Sequence, residues 1–289
     1  MSLYEKKGYL NEDFQLFHLI DQSVKEFELH YHEFDKILLF LKGDVSYQIE
    51  GKSYDLKPYD IVLVNHGELH RPIIQSNQPY ERIIIYISSK FMNDYKTDSY
   101  NLLNCFEKAK SEHANVLRLF SMEHSKLYLA TKDLESSFQD NGYAASLRKN
   151  ILFLEFMIQL NRSVLTNSLE YIETCSKNPK IQDIIDYINL HLTSQDLTID
   201  TLSSLFFMSK YHMMRQFKQD TGYTINNYIL QKRLQLAKEL LKTAVPLTQL
   251  CYDCGFKDYS TFSRAYKKQF HESPRKTRQN LKLSNESKE

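Results

Sequence analysis

The stretch LTIDTLSSLFFMSKYHMMRQFKQDTG, residues 197–222, decides how this chain is read. Thr198 carries a side-chain oxygen suited to capping a helix, and Asp200 follows in the first turn, where the helix dipole favours an acid. Leu202 and Leu205/Phe206 give that helix one apolar face. A tight turn at Phe207-Met208 comes next. Ser209 then caps a second helix whose inward positions are Met213 and Phe217. The rest of its surface is left with Lys210, Tyr211, His212, Met214, Arg215 and Lys218. A short helix, a tight turn and a helix with a basic outer face match a helix-turn-helix, whose second helix lies in the DNA major groove.

The arrangement recurs about 49 residues later in LTQLCYDCGFKDYSTFSRAYKKQF, residues 247–270. Its turn falls at Gly255-Phe256, its cap at Asp258, and Phe262 and Tyr266 face inward. Tyr259, Ser260, Thr261, Arg264, Lys267 and Lys268 remain outside. Arg215 is in register with Arg264, and Phe217-Lys218 with Tyr266-Lys267. Two copies with matching arginines say more than either alone. Between them TINNYILQKRLQLAKELLKT (224–243) reads as one amphipathic helix with Lys232, Arg233, Lys238 and Lys242 on its polar face. About 20 residues at 1.5 Å each span ~30 Å, close to the ~34 Å between successive major-groove faces. A guanidinium pairs bidentately with guanine O6 and N7, which makes Arg215 and Arg264 the expected base readers. Lys210, Lys218, Lys267 and Lys268 suit phosphate, which fixes register without reading sequence. For each lysine the plain alternative is a solvated surface charge.

These residues resemble the AraC/XylS family of transcription regulators over roughly 181–278. The resemblance rests on the R-x-F-K step at Arg215–Lys218, on Thr221-Gly222, and on RLQLAKELL (233–241). It also rests on GFKDYSTFSRAYKKQF followed by Ser273-Pro274. It implies seven helices, with both recognition helices in successive major grooves of double-stranded promoter DNA. Tyr211, Met214, Ser260 and Thr261 match family positions that reach base edges. It further implies activation through contact with RNA polymerase, with repression as the alternative. Phe207 stands where the family often has glycine. A bulky residue at positive φ is strained, so the first turn is expected to differ in geometry from the second, where Gly255 fits.

Residues 15–88 read as β. LLF and VSYQI flank Lys42-Gly43-Asp44, and VSYQI passes through Glu50-Gly51-Lys52 into SYDL. IVLV at 61–64 and RIIIYI at 82–87 follow. Short strand-like runs separated by turn residues favour a small antiparallel barrel or sandwich. HYHEFDKILLFLKGDVSYQIEGKSYDLKPYDIVLVNHGELHRP (30–72) resembles a cupin barrel. His30-x-His32 matches its first histidine pair, Gly43 its closing glycine, and Pro58-Tyr59-Asp60 with His70 its second motif. In metal-binding cupins the histidines and a glutamate hold a metal, but Lys36 takes the glutamate's place here and Tyr59 that of a glycine. Three readings stay open: a pocket for a small, anionic effector around His30, His32, Lys36 and His70; a filled barrel with hydrogen-bonded histidines; and a metal site, which the Lys36 cation opposes.

From 100 to 175 the period turns helical. YAASLRKNILFLEFMIQLNRSV (143–164) repeats Phe153, Phe156, Met157 and Leu160 at spacings of three and four. It packs on the barrel, forms a dimer seam, or does both. Lys177-Asn178-Pro179-Lys180 reads as the linker. The expected fold is α+β: a cupin-like β-barrel (1–99), a helical dimerisation and linker region (100–176), an all-α domain with two helix-turn-helix units (177–283) and a disordered tail (284–289).

Charge divides the same way. Residues 180–283 carry a net +7 and residues 1–179 a net −5, so one part meets a polyanion. No apolar run approaches the ~18–20 residues of a membrane helix, and the start MSLYEKKGYLNEDFQLFHLI lacks a signal layout. A cytoplasmic placement follows as the expectation. Cys251-x-x-Cys254 has the spacing of half a zinc site, but a structural zinc takes four ligands and no second pair exists; both sulfurs read as packed apolar groups. No phosphate loop, G-x-S-x-G or H-E-x-x-H occurs, so neither enzyme activity nor a cofactor is expected. The reading is a homodimeric, effector-responsive DNA-binding regulator. Its rivals are a cupin metalloenzyme joined to a DNA-binding module and a regulator whose barrel only dimerises.

Overall fold

Alternate side chains of a strand point to opposite faces, and in DKILLFLK (β2, Asp35–Lys42) both faces find a core. The structure, a computed structural model, describes residues 10, 13–22, 26–112, 114–119, 125–166, 168–172 and 178–286. Its first unit runs to Cys175. The other strands are β1 (Phe14–Asp21), β3 (Val45–Ile49), β4 (Lys52–Asp55), β5 (Ile61–Val64), β6 (His70–Ile74), β7 (Tyr80–Ile87), β8 (Val116–Leu119) and β9 (Leu169–Tyr171). They form a six-stranded sheet in the order β1-β7-β2-β5-β8-β9 and a three-stranded sheet in the order β4-β3-β6. Every pairing between them is antiparallel.

Leu38, Phe40, Val62 and Val64 from the large sheet meet Val45, Tyr47, Ile49 and Tyr54 from the small one. On the opposite face Ile37, Leu39, Ile61 and Leu63 meet the helices. The arrangement is two facing antiparallel sheets, which fits the cupin-like fold expected. Lys42-Gly43-Asp44 is a corner between sheets, because β2 and β3 belong to different ones. Gly43 is required there: its φ is +132°, and a Cβ would stand 3.1 Å from the Pro79 carbonyl oxygen.

The helices of this unit are α1 (Ser89–Asp94), α2 (Asn104–Ser111), α3 (Lys126–Ser136) and α4 (Ala145–Leu165). The repeat of α4 lays Phe153, Phe156, Met157, Leu160 and Val164 on the outer face of the large sheet. Each of these large side chains contributes roughly 1.5–3 kcal/mol by leaving water, so the barrel-packing reading of α4 holds. Two corrections follow. The stretch from 100 to 175 is not purely helical, since β8 and β9 lie within it. Nor is it a separate region, since those strands complete the large sheet. Asp60, buried at the cupin-like Pro58-Tyr59-Asp60, takes both Nε and Nη2 of Arg118, at 2.8 and 2.6 Å, and so ties β8 in place.

The second unit begins at Ser176. Lys177 of the expected linker lies outside the described residues, and Pro179 is the first residue of a helix, a position that needs no N–H donor. Seven helices follow among the described residues: α5 (Pro179–Leu190), α6 (Ile199–Leu205), α7 (Lys210–Thr221), α8 (Ile225–Leu240), α9 (Leu247–Asp253), α10 (Tyr259–Phe270) and α11 (Pro274–Glu286). Helix α11 continues into the stretch read as a disordered tail, and residues 287–289 lie outside the described residues. Helix α8 has 16 residues, about 24 Å, shorter than the span expected from its pattern. Ile225, Tyr228 and Ile229 are buried on its N-terminal half, where Tyr228 meets the Phe217 ring edge-on. Leu234 and Ala237 on its C-terminal half, and Leu241 just past its end, are buried against Leu250, Phe262 and Tyr266. One helix therefore serves two small cores.

Candidate nucleic-acid interface

The caps stand where the residue types require. Thr198 Oγ1 accepts from Thr201 N at 3.1 Å, Ser209 Oγ from His212 N at 3.4 Å, and Asp258 Oδ1 from Thr261 N at 2.7 Å. Hydrogen bonds from Thr261 are the leading reason the Asp258 carboxyl sits below its usual value. Met213 and Phe217 of α7, and Phe262 and Tyr266 of α10, are fully buried and fix which face each recognition helix turns outward.

The two turns share one geometry. Phe207 N bonds Ser204 O and Met208 N bonds Ser203 O; Gly255 N bonds Tyr252 O and Phe256 N bonds Cys251 O. These are corresponding steps of a left-handed helix ending, with Phe207 at φ +51° and Gly255 at φ +79°. The expected difference in the first turn is absent, because Phe207 takes the glycine conformation. Its ring is 94% exposed. The offset between units is 48 residues through the first helix and turn and 49 through the recognition helix, because α10 starts one residue later after its turn.

On α7, Lys210, Tyr211, His212, Met214, Arg215 and Lys218 are all exposed. The Lys210 ammonium is paired with the exposed Asp200 of α6. On α10, Ser260, Thr261, Arg264, Lys267 and Lys268 are exposed. Arg264 Nε lies along its own helix, 3.3 Å from Ser260 O. Tyr259 is half-buried against Phe262. Leu205, read as inward, is exposed.

Sequence reading missed the part played by Arg233. It is half-buried, and its Nε and Nη2 donate to Leu192 O at 2.9 Å and Ser194 O at 2.7 Å. An arginine within a basic helix face gives no signal of such a role. Cys251 and Cys254 are buried and unbridged in the core of the second helix-turn-helix. Burial pushes the Cys254 thiol up to about 12 and raises that of Cys251. Neither is poised as a thiolate ligand.

In the first unit the four residues singled out do come together. His30 makes a single bridge to His70, and the rings of His30, His32 and His70 lie 4.5–5.0 Å apart. Nδ1 of His30 faces Glu28 O at 2.8 Å and Nδ1 of His70 faces Glu68 O at 2.9 Å. A carbonyl partner holds the proton on Nδ1 and leaves Nε2 as an acceptor. Lys36 Nζ donates to Tyr47 Oη at 2.9 Å and stands 3.5 Å from His70 Nε2. Burial first, then the charges of Lys36, His30 and His32, hold His70 well below its ordinary pKa. The three imidazoles are near enough to share one ion. The Lys36 ammonium nevertheless faces the His70 lone pair that a divalent cation would need, and the donor set suits an anionic or hydroxylated group better.

Two exposed basic helices, each behind a capped helix and a left-handed turn and joined through one shared helix, define a double helix-turn-helix DNA-binding module. Residues 202–280 match a family described as a helix-turn-helix domain, and residues 17–156 one described as an AraC-like ligand binding domain. The chain belongs to the AraC family, whose members are DNA-binding transcription regulators and not enzymes. It is 22% identical over 255 residues to the HTH-type transcriptional activator RhaS of Escherichia coli (strain SMS-3-5 / SECEC), covering 88% of each chain. Among solved structures it is similar to the C-terminal domain of AraT, a response regulator from Geobacillus stearothermophilus. That match has 27% identity over 36% of this chain and 86% of that one, with a TM-score of 0.35. It is also similar to ToxT from Vibrio cholerae, with 16% identity over 93% of this chain and 98% of that one and a TM-score of 0.35. No helix among the described residues is long and apolar enough to cross a membrane.

Proposed function

We propose that the protein is a cytoplasmic, homodimeric, effector-responsive activator that reads a promoter through Arg215 and Arg264. The observation that carries this reading is the exposure of these two arginines at equivalent places on α7 and α10. Tyr211, Met214, Ser260 and Thr261 flank them and complete the base contacts. Lys218, Lys267 and Lys268 anchor phosphates, and Lys210 does so after exchanging Asp200 for the backbone. Activation is supported by the similarity to RhaS, a transcriptional activator, and contact with RNA polymerase is the route proposed for it. Effector binding is supported by the Lys36 ammonium, the Tyr47 hydroxyl and the imidazoles gathered among aromatic rings. A small anionic molecule fits that set.

The test compares two substitutions on α10. Arg264→Ala should relax preference at one base pair by ~1–3 kcal/mol. Lys268→Ala should weaken binding to all sequences alike and flatten the salt slope by about one. Identical behaviour of the two variants would overturn the division into readers and anchors. A second reading, a sandwich that senses nothing, is favoured by the near-complete burial of His32, Lys36 and His70. Thermal unfolding in the presence of organic acids, sugars and peptides separates the two, because a ligand of the folded state raises the melting temperature.

A further inference from the structure

The spacing between two recognition helices is useful only if it is fixed. Helix α8 is held at both ends by apolar contacts, and apolar contact has little directional preference. A helix seated only in two greasy cores can roll or slide between them. Directional contacts decide its register, and they concentrate at Arg233. Its guanidinium reaches Leu192 O and Ser194 O in the loop that leads from α5 into the first helix-turn-helix. Against it sits the turn of the second helix-turn-helix. A Cβ on Gly255 would lie 2.9 Å from Arg233 Nε and 2.9 Å from Thr193 O. The linker helix, the loop before the first unit and the turn of the second thus converge on one side chain. The other directional contacts of α8 include Tyr228 Oη donating to Asn189 Oδ1 of α5 at 3.4 Å, Gln231 Nε2 donating to Gln269 Oε1 of α10 at 3.1 Å, and Lys238 over the Phe270 ring.

We propose that Arg233 is a positioning residue that sets the distance and rotation between the two recognition helices, and so the base-pair spacing the protein accepts. It touches no base. It acts through two carbonyls and the bare backbone of Gly255. A planar fork is needed, because a lysine ammonium carries a point charge and not two parallel donors. The absent Cβ at 255 belongs to the same device, since any side chain there would push the guanidinium off its carbonyls.

The experiment uses the full chain and a duplex selected by it from a random pool. The selected site is then rebuilt with one or two base pairs inserted or removed between the segments read by α7 and α10. Simultaneous engagement of two linked modules adds ~10²–10⁴ in affinity and is lost when geometry forbids it. The unaltered protein should therefore lose about ten-fold or more on the altered spacings. Arg233→Ala should bind all spacings within about three-fold of one another while keeping its preference for each segment. Arg233→Lys, which preserves charge and stem, should fall between the two, and decides the matter should Arg233→Ala not fold. Full spacing discrimination in folded Arg233→Lys or Arg233→Ala would overturn the proposal. So would an unaltered protein indifferent to spacing. A purely structural arginine would lower the melting temperature and leave the ratio between spacings unchanged.

Discussion

Tyr59 and Phe207 hold left-handed backbone where the family resemblances expect glycine, and their surroundings differ. Tyr59, at φ +70°, packs its ring edge-on to Tyr128 with the Lys132 ammonium over it. Phe207, at φ +51°, leaves its ring in solvent. Left-handed backbone costs a side chain ~1–2 kcal/mol, while a glycine loses ~0.5–1 kcal/mol more than alanine on ordering. Phe207→Gly should therefore raise the urea midpoint, by up to ~1 kcal/mol in stability; a lower midpoint would show that the exposed ring is held by something. Gly255→Ala meets both the positive φ and the Thr193 carbonyl, and should lower stability by more than the ~1–2 kcal/mol of the backbone alone. His70 makes a pH prediction. Its folded pKa lies below the unfolded 6.5, so between those values the unfolded chain binds more protons. Stability is complete above 6.5 and falls as pH drops from there towards the folded value. Melting curves from pH 8 to 5 should show that fall, and His70→Gln should reduce its slope. The caps, the inward aromatics and the paired arginines were legible in the sequence because each depends on near neighbours. The conformation of Phe207 was not, because a bulky side chain gives no sign of accepting glycine's backbone.

At the scale of elements, α4 has a second face. Leu147 and Ile151, four residues apart, are 59% and 56% exposed while the opposite side is buried in the sheet. A helix stripe of this kind suits a second copy of the chain. Leu147→Lys with Ile151→Glu should yield a monomer in sedimentation velocity, with the melting temperature of the sandwich little changed. A dimer that survived both charges would move the seam elsewhere. Periodicity found α4 and five of the nine described strands; it named no run for β1 or β6, which fall within the stretch read as β, and it missed β8 and β9 altogether. Val116–Leu119 and Leu169–Tyr171 are too short to alternate visibly. They are strands because β5 and the Arg118–Asp60 pair recruit β8 from beyond two strands and two helices, and β8 in turn recruits β9 from beyond α3 and α4, a non-local cause. The short α8 has a different reason: capped by Thr224, it gives way at Leu241 to a turn, although the apolar pattern runs on.

For the whole molecule, charge separates labour. The basic C-terminal third and the acidic remainder predict that DNA affinity falls linearly on a log–log plot against salt, with a slope near −0.9 per phosphate neutralised. Titration of fluorescent duplex between 50 and 200 mM salt checks it; a flat line would remove phosphate anchoring from the account. The division into two units was readable from the breaker at Pro179 and the basic charge beyond it, whereas the change of hydrophobic period at 100 falls inside the first unit. The pairing of the nine described strands into two sheets was not readable, since adjacent strands such as β2 and β3 end in different sheets.

The two recognition helices grew from one pattern, yet their outward faces no longer match. One offers Lys210, Tyr211, His212 and Met214, and the other Tyr259, Ser260 and Thr261, with α10 entering one residue later after its turn. Each chain should accordingly spell out two unrelated words a set distance apart. A search of promoters that demands a repeated half-word inside a single footprint would pass over the genuine targets, while one that allows a bipartite, asymmetric phrase would find them.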